Sequence, residues 1–205
     1  MAPKVSEQHR AERRTQILDS AIQCFSDKGY ETTTVDDIVR EAGISKGMVY
    51  TYFKSKEEIF LAIVNDRTNQ FMHQLEESLH SRNTAWEKLR YVLERHSHQP
   101  LTREAKRWNA VYLEFFLSSS RDESRQTFMH QRYQQYLKVL VDVINEGKKS
   151  GEFRDDVNAT SMAALYWALC DGLDLHASQL SDVMNTDELY QDAIDVVRRK
   201  VVRNI

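Results

Sequence analysis

The sequence predicts an all-α protein, with a small N-terminal module of three helices followed by a larger helical domain. Only six glycines and two prolines occur among the 205 residues, so the turn-rich pattern of β proteins is missing. Apolar residues recur three and four positions apart along most of the chain, which is the spacing of amphipathic helices. A hydrophobic fraction of 41% is enough for one or two domains that each bury a core.

Three short helices with clear start and stop signals are predicted first. The first runs from Ala11 to Lys28 and is terminated by Gly29. The second has its N-cap at Thr34, where Asp37 completes a capping box, and ends at Gly43. The third begins at Lys46 after an N-cap at Ser45. The second and third are joined by about three residues that include a glycine, which is the pattern of a helix-turn-helix motif.

Further helices are predicted after this module. Their expected extents are Ser55 as N-cap to about His80, Thr84 as N-cap to about Ser97, Leu101 to Leu117, Ser120 as N-cap to Lys149, Asn158 to about Ala177, and a last helix capped by Asn185 or Thr186. No linker rich in Gly, Ser or Pro interrupts the chain near the fourth helix. That helix is therefore expected to cross the boundary between domains 1–55 and 56–205.

The composition argues against several classes of protein. The formal net charge is −3, so a nucleic-acid site has to come from local clustering of positive charge. Cys24 and Cys170 are expected to be buried thiols in a reducing compartment. The spacing of Asp171, Asp174 and His176 fits no standard metal site, and neither a metal nor a cofactor is predicted. Without a signal peptide or a membrane-spanning run, the protein is expected to be cytoplasmic.

The third helix, KGMVYTY at residues 46–52, has an unusual outer face. At about 100° per residue, Val49 and Phe53 fall together and are expected to pack in the core. The rest of the helix presents Gly47, Met48 and Thr51 on the opposite side, with Tyr50 and Tyr52 projecting to its two flanks. Slender residues in front of base edges, with hydroxyls at both flanks for phosphates, suit a helix lying in the DNA major groove.

Positive charge is predicted around this helix although the chain as a whole is acidic. Lys46 and Lys56 bracket it, and Lys4, Arg10, Arg13 and Arg14 add to it from the N-terminal arm. Exposed tyrosines and lysines are common on helix surfaces, so this pattern alone is weak evidence. Its position on the second helix of a glycine-turn pair makes DNA binding the favoured interpretation.

The segment YETTTVDDIVREAGISKGMVYTYFKSKEEIFLAIV, residues 30–64, resembles the DNA-binding segment of TetR-type transcriptional regulators. The resemblance implies phosphate contacts from Thr33, Thr34, Tyr50, Tyr52 and Lys56, and base contacts from Lys46, Gly47 and Met48, beside Thr51 on the outer face. Met48 stands where a threonine is frequent in the family, which favours contact with a thymine methyl group.

The two last long helices are expected to form a dimer interface. The helix from Asn158 is apolar nearly all round and needs partners on more than one side. Resemblance to the family implies a four-helix bundle with a second copy, using Leu165, Ala168, Leu169, Gly172, Leu189, Ala193 and Val197. The alternative is simple burial of these side chains within one chain.

Aromatic residues concentrate in the middle of the chain and could line an effector pocket. The candidate lining residues are Trp108, Tyr112, Phe115, Tyr133, Tyr166 and Trp167. A planar or apolar effector is expected, and the acidic balance of the chain favours a cationic one. Trp86, Trp108 and Trp167 are all assigned to the larger domain, so their fluorescence is expected to report on that domain.

The predicted function is a dimeric, ligand-responsive regulator, most simply a repressor that binds a palindromic operator in double-stranded DNA. A small-molecule effector is expected to shift the spacing of the two reading heads and release the DNA. Two other classes stay open: an α-helical enzyme or ligand-binding protein using the aromatic cavity, and a dimerisation protein whose DNA-binding module is inert.

Overall fold

A computed structural model of the chain describes residues 7–97, 102–180, 183 and 185–203, without the side chains at 96, 97, 178 and 180. These residues form α1 (Glu7–Lys28), α2 (Val35–Ala42), α3 (Lys46–Tyr52), α4 (Lys56–His80), α5 (Ala85–Ser97), α6 (Arg103–Ser119), α7 (Glu123–Lys149), α8 (Ala159–Leu180) and α9 (Thr186–Val201). Within this described part, the one β pairing is an isolated antiparallel bridge between Phe153 and Val202. The all-α prediction is confirmed.

The predicted capping signals form the helix ends of the N-terminal module. The Thr34 side chain accepts from the Asp37 N–H while the Asp37 carboxylate accepts from the Thr34 N–H, which completes the capping box. Ser45 caps α3 by accepting from the Met48 N–H at 3.2 Å. Gly29 and Gly43 adopt positive φ angles of 84° and 63°, conformations that glycine reaches without strain.

Some predicted helix limits are wrong. The first helix begins at Glu7 rather than Ala11. The prediction that Ser120 caps the seventh helix fails because its hydroxyl donates to the Leu117 carbonyl at 2.9 Å, and α7 begins only at Glu123. The sixth helix begins at Arg103, and the predicted start at Leu101 lies outside the described residues.

The chain divides into two compact units. Unit 1 comprises Met1–Gln70 and Arg103–Asp122, and unit 2 comprises Phe71–Thr102 and Glu123–Ile205. In unit 1, α6 packs beside α1, and Phe60 lies 4.4 Å from Phe115 between ring centroids. The sixth helix therefore shares the core of the N-terminal helices, and Trp108, buried 5.6 Å from Phe60, belongs to unit 1 rather than to the body of the larger domain. The functional division at residues 55 and 56 stays a prediction.

Unit 2 has its own apolar core, built from α5, α7, α8, α9 and the end of α4. Cys170 is buried there, and Cys24 is buried in unit 1, as predicted for both. Phe153 is fully buried and lies directly against Gly147 of α7. A Cβ at Gly147 would stand 2.6 Å from Phe153 Cε2, so glycine is required for this close approach.

Candidate nucleic-acid interface

The helix α3 is fixed by its inner face, which leaves its outer face to solvent. Val49 is fully buried and Phe53 is 5% exposed, as the periodicity predicted. The Gln16 side chain donates to the Ala42 carbonyl at 2.8 Å and ties α1 to the end of α2. These contacts orient the short α3 without any need for intrinsic helix stability, since isolated helices of this length are unstable in water.

The residues of α3 that were predicted to contact bases or phosphates are exposed, with one exception: Tyr52 is half-buried. Met48 and Tyr50 are 40% and 47% exposed. A Cβ at Gly47 would meet nothing within 4 Å, so packing within the chain does not require glycine there. The Thr51 hydroxyl donates to the Gly47 carbonyl at 2.9 Å, so it is bonded within the helix.

Lys46 is exposed but paired. Its ammonium group lies 2.7 Å from the Asp36 carboxylate, and the hydrogen bond to Asp36 raises the pKa of Lys46. Both side chains are more than half exposed, so the ion pair contributes little to stability. A phosphate approaching Lys46 therefore competes with Asp36 for the same cation.

The Thr33 side chain supports the module itself, and its predicted role as a phosphate contact stays a prediction. Its side chain is buried, and its hydroxyl lies 3.1 Å from the Cys24 carbonyl and 2.7 Å from the Gly29 carbonyl. Thr34 is exposed, and its hydroxyl donates to Asp37 at 2.7 Å. The pKa of Asp37 is held well below its usual range, mainly by a hydrogen bond from Lys28 and secondly by those from Thr34.

Two basic side chains predicted to surround α3 make close contacts within unit 1. Lys56 donates to the carbonyls of Tyr30 and Glu31 at 2.7 and 3.0 Å. Arg14 forms a two-pronged ion pair with Asp66, at 2.7 and 3.2 Å. The ion pair with Asp66 offsets the positive charge of Arg14. The predicted contribution of Lys4 lies outside the described residues.

Comparisons with known proteins agree with this architecture. Residues 17–63 match the family model for bacterial regulatory proteins of the tetR family, and residues 88–187 match the tetracyclin repressor-like C-terminal domain. The fatty acid metabolism regulator protein of Bacillus subtilis is 31% identical over 70% of this chain and 72% of its own length. The chain belongs to the TetR family. It is a transcriptional regulator.

Solved structures show the same fold. A transcriptional regulator from Saccharomonospora viridis in complex with choline superposes with a TM-score of 0.81 at 24% identity, covering 95% of this chain and 100% of that one. The regulator FadR of Bacillus subtilis in complex with stearoyl-CoA gives a TM-score of 0.77 at 24% identity, covering 89% and 96%. Curated relatives of this TetR-family chain include proteins named transcriptional repressors and one named an activator.

The aromatic residues predicted to line one pocket are divided between the two units. Trp108, Tyr112 and Phe115 belong to unit 1, where Phe115 is fully buried and Tyr112 stacks on the exposed Phe116. Tyr133, Tyr166 and Trp167 belong to unit 2. Tyr166 is 1% exposed and donates to the Leu89 carbonyl at 2.6 Å. Its hydroxyl is therefore used within the core.

Unit 2 contains an aromatic cluster that sequence analysis did not isolate. The centroid of the Tyr136 ring lies 5.6 Å from that of Phe71 and 4.9 Å from that of Trp167. The guanidinium group of Arg95 lies 4.8 Å from the Phe71 ring, and that of Arg132 lies 4.8 Å from the Tyr136 ring. Because Phe71 and Arg95 are far apart in sequence from Tyr136, only the fold brings these groups together.

The residues predicted for the dimer interface differ in exposure between α8 and α9. On α8, Leu165 is 57% exposed, Ala168 is exposed, and Leu169 and Gly172 are half-buried. On α9, Ala193 and Val197 are buried in the core of unit 2, and Leu189 of the predicted stripe is partly accessible. The assignment of these residues to a dimer interface stays a prediction. Val196, which the stripe omitted, is 64% exposed.

Neither a metal centre nor a membrane span is found in the part of the chain that the structure describes. No group of three or more His, Cys, Asp or Glu side chains in it could hold a metal ion. Within the same residues, every helix is too short or too polar to cross a membrane. Asp174 instead accepts a hydrogen bond from the Tyr190 hydroxyl at 2.8 Å.

Proposed function

We propose that this TetR-family chain is a homodimeric repressor that binds a palindromic operator through α3 and leaves it when an effector binds. The observation that carries the proposal is the accessible outer face of α3 on a completed core. Curated relatives named repressors favour repression over activation. A DNA-binding regulator of this kind would act in the cytoplasm.

The proposed contact set is smaller than the sequence suggested. Gly47 and Met48 would face bases, and Thr51 lies beside them. Tyr50, Tyr52, Thr34 and Lys46 would contact phosphates. Thr33 and Lys56 are left out because their polar groups serve the module itself.

The operator proposal is tested by selection of bound sequences from random duplex DNA. An enriched palindrome is expected with the wild-type protein. Tyr50→Phe should weaken binding without changing the selected sequence, because phosphate contacts position the protein but do not specify bases. Met48→Thr should change it, because that side chain faces the groove. Absence of any enriched palindrome at low salt contradicts the proposal.

We place the dimer interface on the exposed face of α8 with Val196 of α9. Leu165→Glu should produce monomers in light-scattering measurements, since it would put a carboxylate in an apolar contact. Leu117→Glu is the matched control, because Leu117 is 69% exposed on α6, a helix that the proposed interface does not include. A Leu165→Glu protein that stays dimeric would move the interface elsewhere.

For the effector we propose an anionic molecule with an apolar portion. Two guanidinium groups lie over the cluster of Phe71, Tyr136 and Trp167, where they favour a carboxylate or phosphate and oppose a quaternary ammonium group. This reverses the earlier expectation of a cationic ligand. The stearoyl-CoA bound to the Bacillus subtilis neighbour has this chemistry, and the choline bound to the other neighbour does not.

The effector proposal is tested by titrating the operator complex with stearoyl-CoA and, separately, with choline. Stearoyl-CoA should release the operator, and Arg95→Gln with Arg132→Gln should raise the concentration required. Arg90→Gln, on the same α5 helix, is the control. Release by choline alone would contradict the proposal of an anionic effector. Operator must weaken effector binding by the same factor that effector weakens operator binding.

A further inference from the structure

The turn between α1 and α2 is held on its N–H side by a carboxylate from a distant helix. Glu114 of α6 accepts from the Tyr30 N–H at 3.1 Å and from the Glu31 N–H at 3.2 Å, one with each oxygen. The approach is close, since a Cβ at Gly29 would stand 3.2 Å from Glu114 Oε2. Hydrogen bonds to an ionised acceptor are about twice as strong as those between neutral groups.

The same turn is held on its carbonyl side by an ammonium group. Lys56, at the start of α4, donates to the carbonyls of both Tyr30 and Glu31 and lies 4.5 Å from the centroid of the Tyr30 ring. Two residues of the turn are thus bound by a negative charge at their N–H groups and by a positive charge at their carbonyls. Each charge is on the side that the peptide dipoles favour.

This turn sets where the helix-turn-helix begins. Directly after it come Thr33, whose hydroxyl bonds back to the Gly29 carbonyl, and Thr34, which caps α2. Arg107 of α6 adds a second link to the same region through Asp27, at 2.6 Å. A shift of the turn would therefore move the start of α2, and with it α3.

We propose that Glu114 and Lys56 form a clamp on the α1–α2 turn and are positioning residues for operator binding. The inference rests on the proposed operator-binding function. Glu114 lies outside the segment that carries the DNA-binding resemblance, and neither residue contacts DNA in this role. The clamp holds α3 in the orientation that DNA requires, so that binding does not have to order the module first.

The charge of Glu114 makes the proposal testable by the sign of an effect. Replacing a carboxylate by an amide in a DNA-binding unit removes repulsion from phosphates, and charge alone predicts tighter binding. The clamp predicts the opposite, because the amide of Glu114→Gln has one acceptor oxygen for two N–H groups. We expect operator affinity to fall about tenfold, a change of about 1.4 kcal/mol.

The experiment compares the wild-type protein, Glu114→Gln and Glu104→Gln by fluorescence anisotropy on the selected operator. Glu104 is exposed on the same helix and controls for the loss of charge. In amide spectra, Glu114→Gln should shift the Tyr30 and Glu31 N–H signals while the remaining spectrum shows a folded protein. If the wild-type protein selects no operator, the proposed function fails. If it does, and folded Glu114→Gln binds as tightly or more tightly, the clamp fails.

Lys56→Gln gives a second test that does not depend on the folding of the Glu114 variant. A lysine that neutralises one phosphate in each protomer would lower the salt slope of operator binding by about 1.8 when removed from a dimer. The clamp predicts weaker binding with an unchanged slope, since the ammonium group holds the turn. A slope that falls by about this amount would assign Lys56 to the phosphates and overturn its positioning role.

Discussion

Replacing Gly147 by alanine is expected to destabilise unit 2, although the same change in an open helix would stabilise it. Alanine is favoured over glycine within a helix by up to about 1 kcal/mol. Against this, the new Cβ would stand 2.6 Å from Cε2 and 2.7 Å from Cγ of Phe153. Because carbon atoms make contact near ~3.5 Å, the ring would have to move by about 1 Å.

Phe153 is held too firmly to make that movement without cost. Its side chain is fully buried, and its N–H donates to the Gly147 carbonyl at 2.9 Å. The following residue, Arg154, donates to the Val201 carbonyl at 2.9 Å. Overpacking of a closed core costs about 1–3 kcal/mol. Because the ring has to move by about 1 Å, we expect a cost in the upper part of this range, about 2–3 kcal/mol. After a gain of about 1 kcal/mol in helix propensity, the net loss should be about 1–2 kcal/mol, which lowers Tm by about 2–8 °C in a chain of this size.

The assay is thermal unfolding followed by circular dichroism at a fixed protein concentration. Introducing Gly147→Ala into a Phe153→Ala background should remove most of the loss, because the side-chain atoms that the new Cβ would contact, from Cγ outward, are then absent. A Gly147→Ala protein with the Tm of the wild type or higher would refute the overpacking argument. An equal loss in both backgrounds would place the cost away from Phe153.

Three further outcomes are expected. Asp36→Asn should tighten operator binding in anisotropy titrations, because it frees Lys46 and removes a negative charge; weaker binding would show that Asp36 supports the module instead. Because folding lowers the pKa of Asp37, the stabilisation from its carboxylate is complete above the ordinary pKa of 3.8 and is lost as the pH falls through the lower pKa of the folded state. Asp37→Asn should therefore lower Tm at neutral pH and lose this acid dependence. Parallel profiles of Tm against pH for the two proteins would contradict the argument. Phe115→Ala should lower the free energy of unfolding by about 3–5 kcal/mol, whereas Phe116→Ala, 49% exposed, should stay within about 0.5 kcal/mol; similar losses would refute the core assignment.

The local signals of the sequence predicted the N-terminal module well, because they act over a few residues. Thr34, Asp37 and Ser45 satisfy N–H groups within one turn of helix, so their spacing alone identifies the helix starts. Val49 and Phe53 follow from the helical period in the same way. These features do not depend on the rest of the fold.

Features that depend on distant contacts could not be predicted. The sixth helix was assigned to the larger domain because it follows in the chain, yet its Phe115 completes a core begun by Phe25 and Phe60. On α9 the spacing of apolar residues supports more than one buried face, and only packing shows that Ala193 is inside while Val196 is exposed. The sequence does not show that Arg14 is paired, because its partner Asp66 is far away along the chain.

The membership of α6 in unit 1 affects any attempt to exchange DNA-reading heads between related regulators. A junction placed after residue 70 would transfer Tyr30 and Phe60 but leave behind Phe115 and Trp108, which lie against them. The transplanted head would then present a half-filled aromatic core to whatever sixth helix the recipient supplies. Chimeric sensors built from this chain should therefore carry Arg103–Asp122 together with the N-terminal segment, as a discontinuous cassette.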